Sequence, residues 1–525
     1  MSKEYQYQLP YEGFKAIVGE ENVINDPILT LAYSRDWLPP GILNPMCPEF
    51  VVLPGSVEES QQVIKLCNRY KLPFIPVGSN LWGITTTPTR PGTVLIDPKR
   101  LNRIVELDEK NMFAVIEPYV THAQLHAEAN KRGLYIGSPE AGSQASSLAN
   151  HLFQAIWGVG HRTGLGYRNI LSMDWILPNG ELLRTGSNAI TEAGHFSGDG
   201  PGPDLRGMLR AFTGMLGGSG MVVRMAVKLH SWPGPKQWPV EGIAPNYRSE
   251  LPKDRFEWVL FTYPTMEKMV AAMYEIGKAE IAGCLHHWST VYLNWWWARS
   301  NEEYWNTWKS ELFQKNCKNL LGCSLWGFTS PKQIEYEKRV LKDIIEETGG
   351  ELIPQEIYDM WVPTTANNWI RDTNGPRMFR PSGTFLALML LGDTYQSGLY
   401  YLKAGHAVMD KYTPPILDND HSDWIASYDL GHFGHCEVDF PIEKTVEGTK
   451  AFMAAAIEEL QRELAARECS DTFAILGGPY HKMAGGVYGY GRILEEIKRA
   501  IDPNNVSNPP HPYPVEAAEQ QAGSK

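Results

Sequence analysis

The stretch Pro76-Val77-Gly78-Ser79-Asn80-Leu81-Trp82-Gly83 decides how this chain is read. An apolar run, PFIPVG (73–78), passes into glycines and small polar residues. Glycine has no Cβ to block an approaching group, so successive backbone N–H groups on such a loop can face an anion. Pyrophosphate is the anion it suits. Taken alone, a Gly-rich loop more often only turns the chain, so its neighbours have to give it meaning.

Upstream, FVVLPG (50–55) reads as a short strand and SVEESQQVIKLCNRYKL (56–72) as a helix. Ser56 can cap that helix, and Glu58 and Glu59 suit the positive end of its dipole. Downstream, TVLIDP (93–98) and FAVIEPYV (113–120) are expected strands, and THAQLHAEANKRG (121–133) a helix closed by Gly133. A Gly/Ser loop (137–147), a helix near 147–157 and a Gly-rich loop (158–166) follow. ILSMDWILPNGELLRTG (170–186) has the form of a hairpin turning at Asn179-Gly180. GGSGMVVRMAVKLHSWPG (217–234) is a Gly turn feeding an alternating strand. A helical lead covers 10–35, ahead of a proline-rich connector. Past 235 the expected elements are a strand (258–264), a helix (265–281), an aromatic block (285–310) and a helix (330–350). Then come a strand (383–393), a strand region (421–441) and helices at 446–468 and 491–503.

Apolar residues make up 43% of the 525 residues and charged ones 21%, which is enough to bury a sizeable core. The net charge of −12 disfavours nucleic acid and anionic membrane surfaces, both of which attract cations. Seven cysteines without a Cys-x-x-Cys pair indicate neither a disulfide framework nor a cysteine zinc site. Reduced thiols and the lack of a signal-like N-terminus set the expectation of a cytoplasmic protein. No G-x-G-x-x-G joins a first strand to a helix, which excludes a Rossmann unit. Elbow, zincin and Walker motifs are likewise absent from the sequence.

The order strand–helix–strand–loop, then strands and Gly/Ser loops, then Gly217-Gly218-Ser219-Gly220, resembles the vanillyl-alcohol oxidase / p-cresol methylhydroxylase superfamily of flavoproteins. NGELLRTGS (179–187) belongs to the same pattern, and PIEKTVEGTKAF (441–452) and LEEIKRAIDPNN (494–505) return to it. The resemblance implies an α+β fold: a two-subdomain FAD-binding domain of that type, with an α+β cap domain built on an antiparallel sheet. The implied divisions are a lead (1–48), the FAD-binding domain (49–236), the cap (237–480) and a segment returning to the FAD domain (481–525).

It also implies FAD as cofactor. Pro76 to Gly83 would hold the diphosphate, with Asn80 and Trp82 near phosphate and ring. Pro139, Gly142, Ser143, Ser146 and Asn150 in SPEAGSQASSLAN (138–150) would line the rest, with Gly158, Gly160 and Arg162 in the next loop. Gly220 and Val222 would sit by the adenine side. The reaction implied is hydride transfer from a substrate carbon to the flavin, then reoxidation by O2 or another acceptor. His161, Arg162, Tyr167 and Arg168 would be polar groups beside the ring, and Tyr480 and His481 would hold or deprotonate the substrate. Phenol-oxidising members carry an acid shortly after the third loop, a tyrosine in the first, and a Tyr-Arg pair near the C-terminus. Here 158–169 has no carboxylate, the first loop reads Leu81-Trp82-Gly83-Ile84, and Tyr480-His481 is the nearest pair.

Covalent flavin attachment in that superfamily falls near His435 or Cys436, which point to opposite faces of a strand. Non-covalent FAD beside an ordinary core cysteine is the alternative. His432, His435, Glu437 and Asp439 also have metal-capable chemistry, against the commoner case of hydrogen-bonded cap histidines. Tyr292, Trp295, Trp296 and Trp297, with Tyr304, Trp305 and Trp308, could stack a bulky substrate or simply fill a core or an oligomer interface. Tyr488 and Tyr490, beside Arg492, could orient a phenol or merely form a turn. The expected function is an FAD-dependent oxidoreductase, a homo-dimer or larger, acting on an alcohol, alkyl or allylic carbon of an aromatic small molecule. Alternatives are an FAD- and metal-dependent 2-hydroxy acid dehydrogenase, a flavoprotein subunit passing electrons to a cytochrome, and a ligand-binding protein without turnover.

Overall fold

Three short apolar strands, Phe50–Val52, Val94–Ile96 and Phe74–Pro76, pair in parallel, and Val23–Ile24 adds antiparallel at the edge. Strands covered on both faces read as continuous apolar runs, as these do. The computed structural model describes residues 3–34, 46–79, 87–136, 142–153, 159–190, 193–210, 216–243, 246–371, 385–414, 416–417, 420–442, 452, 458–459 and 490–509. The crossover helix Val57–Tyr70 starts as expected, with Ser56 Oγ accepting from the Glu59 N–H. It buries Val63, Ile64 and Cys67 against the sheet.

A second, antiparallel sheet has the order Ile104–Asp108, Phe113–Ile116, Met221–Lys228, Ile170–Ile176, Leu182–Arg184. Its hairpin turns at Gly180, whose φ of 84° suits glycine. The cap is a seven-stranded antiparallel sheet, in the order Glu351–Leu352, Phe256–Thr262, Leu320–Trp326, Cys284–Trp288, Asp423–Tyr428, Phe433–Pro441, Phe385–Asp393. The fold is therefore α+β, with an FAD-type domain and an antiparallel cap sheet.

The cap sheet has two unlike faces. Leu285, Leu321, Cys323, Ile425, Cys436 and Val438 pack under the helices Met266–Lys278, Pro331–Thr348 and Tyr395–Lys411. Trp258, Trp288, Trp326, Trp424 and Tyr428 join one core with Tyr135, Met173 and Trp232 of the first domain. Direct ring contacts carry that junction: Trp326 lies 5.3 Å from Tyr135 and 5.5 Å from Trp232.

Several elements depart from expectation. The strand region 421–441 resolves into two strands, because Leu430 (φ 53°) and Gly431 (φ 81°) reverse the chain. The lead helix is Lys3–Val18, with Pro10 inside it; Tyr7, Tyr11 and Phe14 hold it against Phe50. The helix expected at 446–468 falls almost wholly outside the described residues.

Candidate cofactor and substrate site

Strand Phe74–Pro76 delivers Val77, Gly78 and Ser79 to the start of the helix Ser147–Phe153. The Ser146 N–H donates to Ser79 Oγ at 3.0 Å. A Cβ on Gly78 would stand 2.8 Å from Ala149 Cβ, so this approach needs glycine. Ser146 Oγ donates to Pro118 O at 2.5 Å and accepts from the Ala149 N–H at 3.0 Å. The loop continues through Gly142 (φ 119°) and Ser143, whose carbonyl accepts from Ala123 N–H at 2.9 Å. Gly220 (φ 103°) turns the chain so closely that a Cβ would meet Ile176 O at 2.0 Å, and Val222 follows, buried, opposite Trp175. The first two loops thus meet. Asn80, Leu81, Trp82, Gly83, Pro139 and Gly158 lie outside the described residues.

The loops fit FAD on one further observation. Ser147 Oγ, Thr163 Oγ1 and Ser219 Oγ are buried without a hydrogen-bond partner among the described residues. Buried polar groups ordinarily have partners. Hydroxyls on these loops match the ribityl hydroxyls and phosphate oxygens of a dinucleotide.

The described part of the third loop reaches the cap. His161 is fully buried, with Nε2 3.0 Å from Ile281 O and Nδ1 2.6 Å from Ser427 Oγ. A carbonyl only accepts, so Nε2 carries the proton and Nδ1 takes the Ser427 hydroxyl. Tyr395 in turn donates to Ser427. Burial pushes His161 down to about 4, so the ring is neutral. Arg162 Nε donates to Ala282 O at 2.7 Å and its guanidinium meets Glu337 at 3.3 Å. Arg168 pairs with Asp429 and lies 4.3 Å over the Phe433 ring. A Cβ on Gly160 would stand 2.3 Å from the Tyr428 ring. His161 and Arg162 thus bond to segment 281–282, Ser427 and Glu337, and Arg168 to Asp429, so these side chains, expected beside the ring and the cofactor, all have partners on the cap. The pair Gly160 and Gly164 was the available signal, since glycine also permits close approach of another element. Tyr167 is half-buried on the same loop, and its carbonyl accepts from Arg210 at 3.2 Å.

On the cap, alternation along Phe433–Pro441 separates His435 from Cys436. Cys436 faces the helix Tyr395–Lys411, its thiol 3.7 Å from Gly398 O. That takes it away from any group bound on the opposite face. His435 lies on the face turned towards the first domain, fully buried, its ring 4.4 Å from that of Trp424. Its Nε2 is 3.2 Å from Glu437 Oε2. A carboxylate only accepts, so Nε2 bears the proton and Nδ1 keeps a lone pair. Nδ1 is buried with no hydrogen-bond partner among the described residues. Burial, then the neighbouring His286, pushes His435 down to about 3.

The aromatic block reaches this face. Tyr292 donates to Asp439, and Trp296 lies 4.4 Å from Trp369. Trp369 Nε1 donates to His286 Nε2 at 3.1 Å, and His286 stacks on Trp288 at 5.3 Å. His286 and Trp369 escaped the sequence reading, although alternation in Cys284–Trp288 puts His286 with Trp288. His432 is exposed at the hairpin turn, so it does not converge with His435. Among the described residues no three His, Cys, Asp or Glu side chains are grouped to hold a metal. Tyr480, His481 and Tyr488 lie outside the described residues, as does the Tyr490 side chain; Arg492 pairs with Glu496 at 2.5 Å. No helix among the described residues is long and apolar enough to cross a membrane.

Residues 48–186 match the family described as FAD binding domain. The glycolate oxidase subunit GlcD of Bacillus subtilis is 29% identical over 224 residues, 42% of this chain and 44% of that protein. The flavoprotein subunit of 4-cresol dehydrogenase (hydroxylating) from Pseudomonas putida is 26% identical over 211 residues, 39% of this chain and 40% of that one. The chain thus matches less than half the length of these relatives. Over 98% of both chains it superposes on p-cresol methylhydroxylase with substrate bound, at a TM-score of 0.75 and 18% identity. It superposes equally widely on the 4-ethylphenol oxidase of Gulosibacter chungangensis in its isoeugenol complex, at 0.76 and 17%. The chain therefore carries an FAD-binding domain and has the p-cresol methylhydroxylase type of fold.

Proposed function

We propose that this chain is an FAD-dependent oxidoreductase that takes hydride from an alcohol, alkyl or allylic carbon of an aromatic substrate. One observation carries the substrate class. The cap face turned towards the FAD-binding domain carries Trp288, Trp369 and Trp424, with the polar groups His286 and His435 set among them. Flat apolar walls with a small number of placed polar groups suit an aromatic ligand and exclude water.

In this reading the loops at Pro76–Ser79, Gly142–Asn150 and Gly220–Val222 hold FAD, which supplies the two-electron acceptor. The residues of the cap then position the substrate. Neutral His435, its proton fixed on Nε2 by Glu437, can accept a hydrogen bond from a substrate hydroxyl at Nδ1. Asp439 is already engaged by Tyr292 and holds that wall in place. Tyr480 and His481 stay as proposed groups for holding or deprotonating the substrate. If the flavin is joined covalently to the protein, His435 is the residue on the correct face. The electron acceptor is O2 or another oxidant.

The test is anaerobic mixing of the purified protein with 4-alkylphenols, benzylic alcohols and 2-hydroxy acids, following the visible flavin bands. The aromatic compounds are expected to bleach the flavin at least about ten-fold faster, a difference of about 1.4 kcal/mol in barrier. Faster bleaching by 2-hydroxy acids would overturn the substrate class.

A further inference from the structure

The end of the described chain returns to the loops that sequence and fold associate with the cofactor. Lys498, in the helix Tyr490–Ile501, has a fully buried ammonium. Each of its three protons has an acceptor: Gly218 O, Asp502 Oδ2 at 2.6 Å and Ser507 O at 2.7 Å. Asp502 also accepts from the Val506 and Ser507 N–H groups at 3.0 and 2.9 Å.

Ser507 spans the Gly turn. Its hydroxyl donates to Gly217 O at 2.6 Å and accepts from the Gly220 N–H at 2.8 Å. The same turn lies along strand Phe74–Pro76: Phe74 N–H donates to Val506 O, and Asn508 N–H to Phe74 O, both at 2.7 Å. Gly217 presses on Pro76, since a Cβ there would stand 3.0 Å from the proline ring. One C-terminal turn therefore fixes both the strand leading into Val77–Ser79 and the Gly217–Gly220 turn.

Burying an ammonium is costly unless it is paired and fully hydrogen-bonded. Apolar contacts could anchor a terminal helix without that cost. What the buried charge adds is a defined backbone position at two separate loops. Loops already held in place lose less freedom when a ligand binds.

We propose that Lys498, Asp502 and Ser507 are positioning residues for the diphosphate end of FAD, so the C-terminal turn forms part of the cofactor site. This rests on the reading above that the loops at 76–79 and 217–220 border the cofactor. None of the three need touch FAD; they set the loops that do.

The test uses full-length apoprotein from a riboflavin-starved host, titrated with FAD, ADP and riboflavin by fluorescence and calorimetry. Ser507→Ala removes the two turn contacts without unburying a charge. It is expected to weaken FAD and ADP at least ten-fold and riboflavin less than two-fold, with the apoprotein melting temperature unchanged within error. Lys498→Met should behave alike, and if it fails to fold, Ser507→Ala decides alone. Unchanged FAD affinity in Ser507→Ala, or equal weakening of all three ligands with a lowered melting temperature, overturns the proposal. Failure of the unmutated protein to bind FAD instead overturns the reading on which it rests.

Discussion

Asp423 sits 2% exposed between two imidazoles, with Oδ1 3.0 Å from His287 Nε2 and Oδ2 against His406 Nε2. Burial alone would raise its pKa; the two histidines outweigh burial and hold the carboxyl well below its usual value. A depressed folded value gives stability that is present above the unfolded value of about 4 and lost as pH falls through the folded one. Asp423→Asn is expected to cost about 1–3 kcal/mol at neutral pH, because an amide cannot accept from both imidazoles and leaves a buried polar group unsatisfied. Denaturant titration at neutral and acidic pH checks this; equal stabilities at neutral pH would contradict it. At this scale the sequence shows which residues have chemistry but not where they are used. His161 and Arg168 read as polar groups on a Gly loop. Segments 280–282 and 427–431, far along the chain, consume them, and no local spacing reveals that. Gly160→Ala should therefore cost about 1–3 kcal/mol through overpacking on Tyr428. Denaturant unfolding of that variant with no loss of stability would refute the docking role.

Among elements, alternation was the most informative property. It placed His435 and Glu437 on one face and Cys436 on the other, as the strand Phe433–Pro441 shows. It could not show that Tyr292, on the helix Thr290–Trp297, comes down on Asp439. Tyr292→Phe removes a donor to a buried carboxylate and is expected to cost about 1–3 kcal/mol, read as a lowered melting temperature with the flavin spectrum little changed. A melting temperature equal to that of the parent would rule out the contact. The strand Leu320–Trp326 and the helix Tyr395–Lys411 were missed for physical reasons. The strand is buried throughout, so it lacks a period. The helix contains Gly398 and Gly405, which weaken a helical pattern. Gly405 is needed because a Cβ there would stand 2.8 Å from Val438 of the sheet below.

For the whole molecule, the FAD-binding half was legible because its motifs are local and ordered, whereas the cap face is assembled from strands and helices far apart in sequence. One property belongs only to the folded whole. Burial pushes His126, His151 and His161 down to about 4 and His230 and His435 to about 3. With folded values below the unfolded value of about 6.5, the unfolded chain binds more protons in between. Stability is therefore expected to be full above about pH 6.5 and to fall steadily towards about pH 4. A melting temperature that stays level across that window would contradict the buried neutral state of these rings. The proposed function stands or falls on FAD lying between the Gly loops and the His435 face of the cap. An absorption spectrum before and after acid precipitation, on the parent, His435→Ala and Cys436→Ala proteins, decides it. Flavin bands are expected in the parent and in Cys436→Ala, with the same partition between pellet and supernatant. In His435→Ala an altered spectrum is expected, with all flavin in the supernatant. A colourless parent, or flavin whose attachment depends on Cys436 and not His435, would contradict it.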